Sequence, residues 1–255
     1  MDKRIIVTTS WDDGDRADLR LAEMLQSRGM SGTFYVPVQP YGGRPALTHS
    51  DLRDLVSEGF EIGAHTVNHK LLWDLPAKEL DEEIDPCKPI LEGILGSEVR
   101  MFCYPCGRYD ANVIRAVKRA GYWGARTVRM LSTRLDFSPF EMPTTVQIMP
   151  HTKKAYIKNV LRARKVEGAQ VFVNHMASLG DWLRLSKELF DSILENGGMW
   201  HMYGHSHEID KMGLWDELAD ILDYVAKRPA VAYIPNCELI RLQSAQKTRA
   251  ASGLS

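Results

Sequence analysis

Cysteine is scarce in this chain: Cys87, Cys103, Cys106 and Cys237 are the only four among 255 residues. That is too few and too scattered for a disulfide-stapled scaffold, so a buried apolar core has to hold the fold. Excess charge of either sign is also lacking. The formal net charge is -1, which gives no electrostatic case for nucleic acid or an anionic membrane as partner. No run of about 18 apolar residues occurs, so no transmembrane helix is expected. The start, Met1-Asp2-Lys3-Arg4-Ile5, passes straight into a strand-like run. It has no apolar leader of roughly 7–15 residues with a small-residue cleavage site, so a cytoplasmic location is expected. Repeats and linkers are missing too, and the chain reads as a single domain to about residue 242 with a disordered polar tail over 243–255.

What is present is alternation of strands and helices. Strands are expected at Ile5–Ser10, Thr33–Val36, Phe60–Ala64, Val99–Cys103, Tyr122–Arg126, Thr145–Met149, Val171–Asn174, Met199–Tyr203 and Val231–Ile234. Between them lie helical patterns at Asp15–Arg28, Ser50–Glu58, Pro76–Leu95, Asp110–Gly121, Thr152–Val166, Trp182–Leu194 and Leu214–Lys227. Ser50 is the expected N-cap of the second helix. Pro86 and Pro89 should break or kink the third. Such alternation implies a parallel sheet wrapped by helices, an α/β barrel in which polar residues at C-terminal strand ends converge on one face. Asp12, Asp13, His65, Cys106, His175 and His205 all stand at such ends.

Ser10-Trp11-Asp12-Asp13-Gly14 places two carboxylates side by side. Adjacent buried carboxylates repel unless a cation or a shared proton compensates. His65-Thr66-Val67-Asn68-His69 supplies a reason for a cation. If the segment turns helical after the strand, both imidazoles lie on one face, one turn apart. One Asp and two His can hold a divalent metal, zinc above all, and leave a position for water whose pKa falls toward ~7. The other Asp is then free to act as a base. His205 sits where an acid could protonate a leaving amine, with His207 and Glu208 near enough to orient it. His175 competes for that role, with Asp181 in support. Trp11 reads as packing at the strand end. Cys103-Tyr104-Pro105-Cys106 falls inside a strand and a turn, not at a helix start, which disfavours a redox pair. The Gly107 turn instead suits a backbone N–H oxyanion site.

These motifs resemble those of the NodB-homology polysaccharide deacetylases, carbohydrate esterase family four. Ser10-Trp11-Asp12-Asp13-Gly14 is similar to the family's T-F-D-D-G, and His65 to His69 matches H-[ST]-x-x-H. Phe102 to Gly107 resembles R-x-P-x-G, and Tyr203-Gly204-His205 resembles L-x-H. The resemblance runs from Ile5 to about Leu242. It implies an irregular (β/α)7-type barrel. It also implies metal ligands Asp13, His65 and His69, general base Asp12, general acid His205, and an oxyanion donor at the Cys106 N–H. Tyr104, Trp11 and Tyr203 would complete the oxyanion and substrate surroundings. The reaction implied is hydrolysis of an N-acyl amide, typically an N-acetyl group on an amino sugar. Cys103 departs from the pattern, standing where many members carry an Arg that orients the base; Arg126 or Asp181 is left to do that work. Alternative functions on the same fold are hydrolysis of a cyclic imide or other small amide, and glycan binding without turnover. Oligomeric state is not written in the residues.

Overall fold

Residues Ile5–Asp12 form strand β1, and every side chain of it is buried. A strand covered on both faces belongs to the centre of a parallel sheet. Alternation gives its two faces different tasks. Ile5, Val7 and Trp11 join the apolar layer beneath the helices. Ile6 packs on the other side with Tyr35, Met101 and Cys103, and Thr8, Ser10 and Asp12 share its face.

The computed structural model describes residues 4–163 and 166–251. After β1 come α1 (Asp18–Gln26), β2 (Thr33–Val36), α2 (His49–Ser57), β3 (Glu61–Ala64), α3 (Ala77–Ile84) and α4 (Cys87–Leu95). β4 (Met101–Cys103), α5 (Ala111–Arg119), β5 (Gly124–Arg126) and β6 (Val146–Gln147) follow. The chain continues through α6 (Lys153–Ala163), α7 (Val166–Asn174), α8 (Trp182–Asn196) and β7 (Gly198–Gly204). It ends with α9 (Ser206–Met212), α10 (Trp215–Val225), β8 (Val231–Tyr233) and α11 (Asn236–Ala251). The strands pair in the order β5-β4-β3-β2-β1-β7-β6, with β8 added beside β1, and all pairs are parallel. The result is the expected single α/β domain, a curled sheet of seven strands in line with an eighth beside β1, surrounded by helices, with strand C-termini gathered at one rim. Among the described residues, no helix is long and apolar enough to cross a membrane.

Several local expectations are corrected. The segment Val171–Asn174 is not a strand but the end of α7. A short apolar run of β-branched residues cannot be told from a buried helix by periodicity. Here Val171 and Phe172, neighbours in sequence, both pack on the Met130–Leu131–Tyr156 cluster, while Val173 is 62% exposed; strict alternation would have split the first two. The His65–His69 segment does not turn helical: Thr66 and His69 take left-handed backbone angles, φ 68 and φ 56. α2 is capped two residues earlier than expected, by Thr48 and Asp51 in a reciprocal capping box. The expected disordered tail is helical as far as Ala251. There Gln243 is buried and donates to the Leu135 carbonyl at 2.7 Å; residues 252–255 lie outside the described residues. The break occurs at Pro86, where α3 has stopped at Ile84 and α4 starts at Cys87, whereas Pro89 stands in the first turn of α4 and does not interrupt it.

Candidate active site

At the rim, β1 delivers its last residue, Asp12, into the sheet's concave side. Asp13 follows at φ 79, and this left-handed turn aims the second carboxylate along the rim instead of onto the opposite face. β3 ends one residue before His65. Its Nδ1 lies 2.8 Å from the Cys103 carbonyl. A carbonyl only accepts, so Nδ1 carries the proton and Nε2 presents a lone pair. That Nε2 is 3.7 Å from Asp13 Oδ1, and His69 Nε2 is 3.3 Å from the same oxygen. The imidazoles meet edge to face with centroids 4.8 Å apart, brought together by the loop where the sequence suggested a helical turn.

One atom of each of Asp13, His65 and His69 lies within 4.8 Å of the others. Asp13 Oδ1 is buried without a hydrogen-bond partner. A buried anionic oxygen with no donor, facing two ring nitrogens, is a donor set suited to a divalent cation such as zinc. Burial lowers the His65 pKa to about 4, against the pull of Asp12, so the ring is neutral at pH 7, as a metal ligand must be. Burial works to raise the Asp13 pKa, but the close approach of the His69 ring and the charges of His65 and His205 push it down.

Asp12 has a different environment. Its carboxylate accepts from Arg126, which reaches across from β5 and is completely buried. Burial alone would raise the Asp12 pKa; the Arg126 charge, helped by His65 and His205, brings it below the ordinary value. Arg126 is the residue that orients Asp12, and Asp181 is not: Asp181 caps α8, accepting from the Arg184 N–H at 3.0 Å. The guanidinium also stands over the Tyr203 ring at 4.7 Å and the Tyr35 ring at 5.4 Å. Cys103 occupies the gap beside it, its thiol 3.8 Å from both Asp12 oxygens.

His205 follows β7. Its Nε2 is 3.8 Å from Asp12 Oδ2, and its Nδ1 is 2.7 Å from Glu208 Oε2. Burial works to lower its pKa, but the Glu208 hydrogen bond and the Asp12 charge raise it above the usual imidazole value. A cavity of about 380 Å³ opens over these groups. Asp12, Asp13, His65, His69, Cys106, Tyr203, His205 and His207 all line it.

Three residues singled out from the sequence stand elsewhere. Trp11 is wholly buried with its indole N–H on Thr9 Oγ1 at 3.1 Å. Tyr104 is buried with its hydroxyl donating to the Phe140 carbonyl at 3.0 Å. Neither touches the cavity; both pack, because their bulk fills the layer between sheet and helices. His175, at the end of α7, pairs with Glu188 at 3.0 Å and lies off the rim, since the strand that would have carried it there is a helix. Two residues escaped sequence reading. Arg44 bridges Asp13 at 3.1 Å and Asp15 at 3.2 Å. Tyr41 stacks on His69 with centroids 3.9 Å apart. Both sit in the Pro/Gly-rich loop after β2, where composition signals only a turn.

The family model described as polysaccharide deacetylase matches residues 2–125. YxkH of Bacillus subtilis (strain 168), which bears the same family name, is 25% identical over 122 residues, 48% of this chain and 43% of its own. The chain thus spans less than half the length of that relative. Among solved structures, a Mycobacterium smegmatis protein named for the family superposes with TM-score 0.64 at 13% identity, covering 96% of this chain and 92% of that one. The Xyl-CE4 domain of a xylanase from the hindgut metagenome of Trinervitermes trinervoides gives 0.60 at 12% identity over 94% and 92%. A family 4 acetyl xylan esterase from Clostridium thermocellum, solved with a cobalt ion, gives 0.55 at 15% identity over 93% and 91%. These likenesses concern the fold. The segment matched in sequence, residues 2–125, contains Asp12, Asp13, His65 and His69, and in that segment the chain is similar to the polysaccharide deacetylases.

Proposed function

We propose that this chain is a metal-dependent hydrolase that cleaves an N-acyl amide, an N-acetyl group on an amino sugar or glycan precursor. Asp13, His65 and His69 would hold the metal, zinc in the first instance. The observation that carries this is the Asp13 oxygen, buried without a donor between two imidazole nitrogens. When bound there, a divalent cation acts as a Lewis acid on the acyl carbonyl and lowers the pKa of the attacking water.

The chain's own residues divide the remaining work. Asp12, kept ionised by Arg126, takes the proton from the attacking water. His205, kept protonated by Glu208, gives a proton to the departing nitrogen. The backbone at Cys106 is left-handed, φ 52, and the residue lines the cavity; its N–H donates to the carbonyl oxygen as negative charge develops. Tyr203, with its hydroxyl donating to Gln147 at 2.7 Å, walls the acyl end. The metal ligation of a Clostridium thermocellum esterase of the same fold and the family match support this reading. Glycan binding without turnover fits less well, because Arg126 restores to Asp12 the guanidinium that Cys103 leaves out.

The test is acetate release from N-acetylated amino sugars and their oligomers, with cyclic amides in the same panel. Zinc-loaded protein should release acetate, and chelation or His65→Ala should abolish it. Full turnover by His65→Ala in chelator would sink the mechanism. Ring opening of cyclic amides with no acetate release would replace the substrate class.

A further inference from the structure

On the far side of the Cys106–Gly107 turn lies a second cavity, of about 290 Å³. The turn is the partition: Cys106 lines the catalytic cavity and Gly107 the second one. Val128 borders both and packs so close to Gly107 that a Cβ there would come within 2.2 Å of it. The two cavities therefore meet at this one turn, with Val128 common to both linings.

The lining has an unusual chemistry. Trp73 is 51% exposed, a large apolar ring left facing solvent. The Arg108 guanidinium stands 5.7 Å from that ring. Among the described residues, no carboxylate pairs with it. Arg129, also in the lining, is only 15% exposed and reaches Glu141 at 3.4 Å, yet its Nε is buried without a partner. Glu141 is also held by the Tyr109 hydroxyl at 3.1 Å. The lining residues themselves therefore carry two guanidinium groups and no carboxylate. An exposed indole offers a flat apolar face. A guanidinium already resting on it is oriented for a planar or tetrahedral oxyanion, which it binds through two parallel N–H bonds.

We propose that this cavity is a substrate subsite that binds a sugar carrying a carboxylate or a phosphate, next to the acylated sugar. The inference rests on the deacetylase reading above and narrows its substrate to an anionic glycan. Trp73 takes the sugar face and Arg108 the anionic group. Arg129, held by Glu141, adds its unpartnered Nε–H to the lining.

Three probes test it: an N-acetylglucosamine oligomer, the same oligomer bearing a 6-phosphate, and an oligosaccharide alternating N-acetylglucosamine with glucuronate. Acetate release is measured with zinc-loaded protein, and equilibrium binding with protein dialysed against chelator. The wild type should favour one charged probe over the neutral one by about tenfold or more, in KM and not in kcat. Which charged probe gains identifies the anion as phosphate or carboxylate. Arg108→Ala should collapse that preference by about tenfold, and Arg108→Lys should restore part of it. Rising salt should erode it. Equal KM for neutral and charged probes in the wild type, or an unchanged preference in Arg108→Ala, overturns the proposal. Arg108-dependent binding of a charged probe without acetate release from any probe would uphold the subsite while refuting the deacetylase reading. Acetate release with no charge preference would do the reverse.

Discussion

Replacing Arg126 with Met removes a guanidinium that is 0% exposed from a carboxylate that is 5% exposed. The apolar replacement fills much of the volume, so the loss is chiefly electrostatic. Breaking a buried ion pair by deleting one partner costs about 3–5 kcal/mol, because the remaining charge is left in a poor solvent for it. For a chain of this size that corresponds to a fall in Tm of ~10 °C. The pH dependence separates this cause from simple repacking. In the native protein the Asp12 pKa is held down, so the pair's contribution is present above the unfolded carboxylate value and lost only in acid. Without Arg126, burial, which already acts to raise the Asp12 pKa, is no longer outweighed by that pairing. The penalty is then full at high pH and shrinks as pH falls and Asp12 takes up a proton. Calorimetric Tm values for wild type and Arg126→Met at pH 8 and pH 5, both in chelator, make the comparison. Adding Asp12→Asn should recover most of the loss at pH 8. A Tm within about 2 °C of wild type at pH 8, or a penalty equal at the two pH values, would refute the assignment of Arg126 as the charge partner of Asp12.

Glu208→Gln should move the alkaline limb of the kcat/KM profile to lower pH, since Glu208 accounts for much of the upward shift of His205; an unmoved limb rules out the pairing as the proton donor's support. His205→Ala should lower kcat by about 10²–10⁴-fold with metal content unchanged, read by metal analysis beside turnover. His201 is buried between Ser10 at 2.9 Å and the Pro143 carbonyl at 2.9 Å. Burial, with Arg126 adding to it, lowers its pKa to about 3. The unfolded chain therefore binds this proton first, and the stability His201 contributes is complete above about pH 6.5 and lost as pH falls toward 3. By pH 4.5 the loss is about 2.5 kcal/mol, and His201→Gln should flatten that part of the Tm–pH curve; an identical slope contradicts it.

The strand ends were legible because parallel central strands are apolar on both faces and stop at Gly, Pro or paired polar residues, as β1 stops at Asp12 and Asp13. Backbone geometry beyond the strand was not. The His65–His69 spacing suggests a helical turn, but two left-handed residues achieve the same convergence, and nothing local in Thr66 or His69 announces that conformation. Arg126 and Asp181 were equal candidates to steady Asp12 because a curled sheet decides which strands face each other, and β5 reaches β1 only through three intervening strands. Val171-Phe172-Val173 read as a strand from its β-branched residues; tertiary packing on Met130 and Tyr156 overrides that propensity. Arg44 and Tyr41 were invisible since their contacts to Asp13 and His69 exist only once the loop folds back over the rim.

The account turns on whether a single ion bridges three side chains from two strand ends. Crystals soaked in zinc and recorded across the zinc absorption edge measure this directly. The prediction is one anomalous peak about 2.0–2.2 Å from His65 Nε2, His69 Nε2 and an Asp13 oxygen, with Arg44 withdrawn from Asp13. Zinc bound elsewhere with this triad empty, or an ion held by Asp12 and Cys103 in place of Asp13, would contradict it.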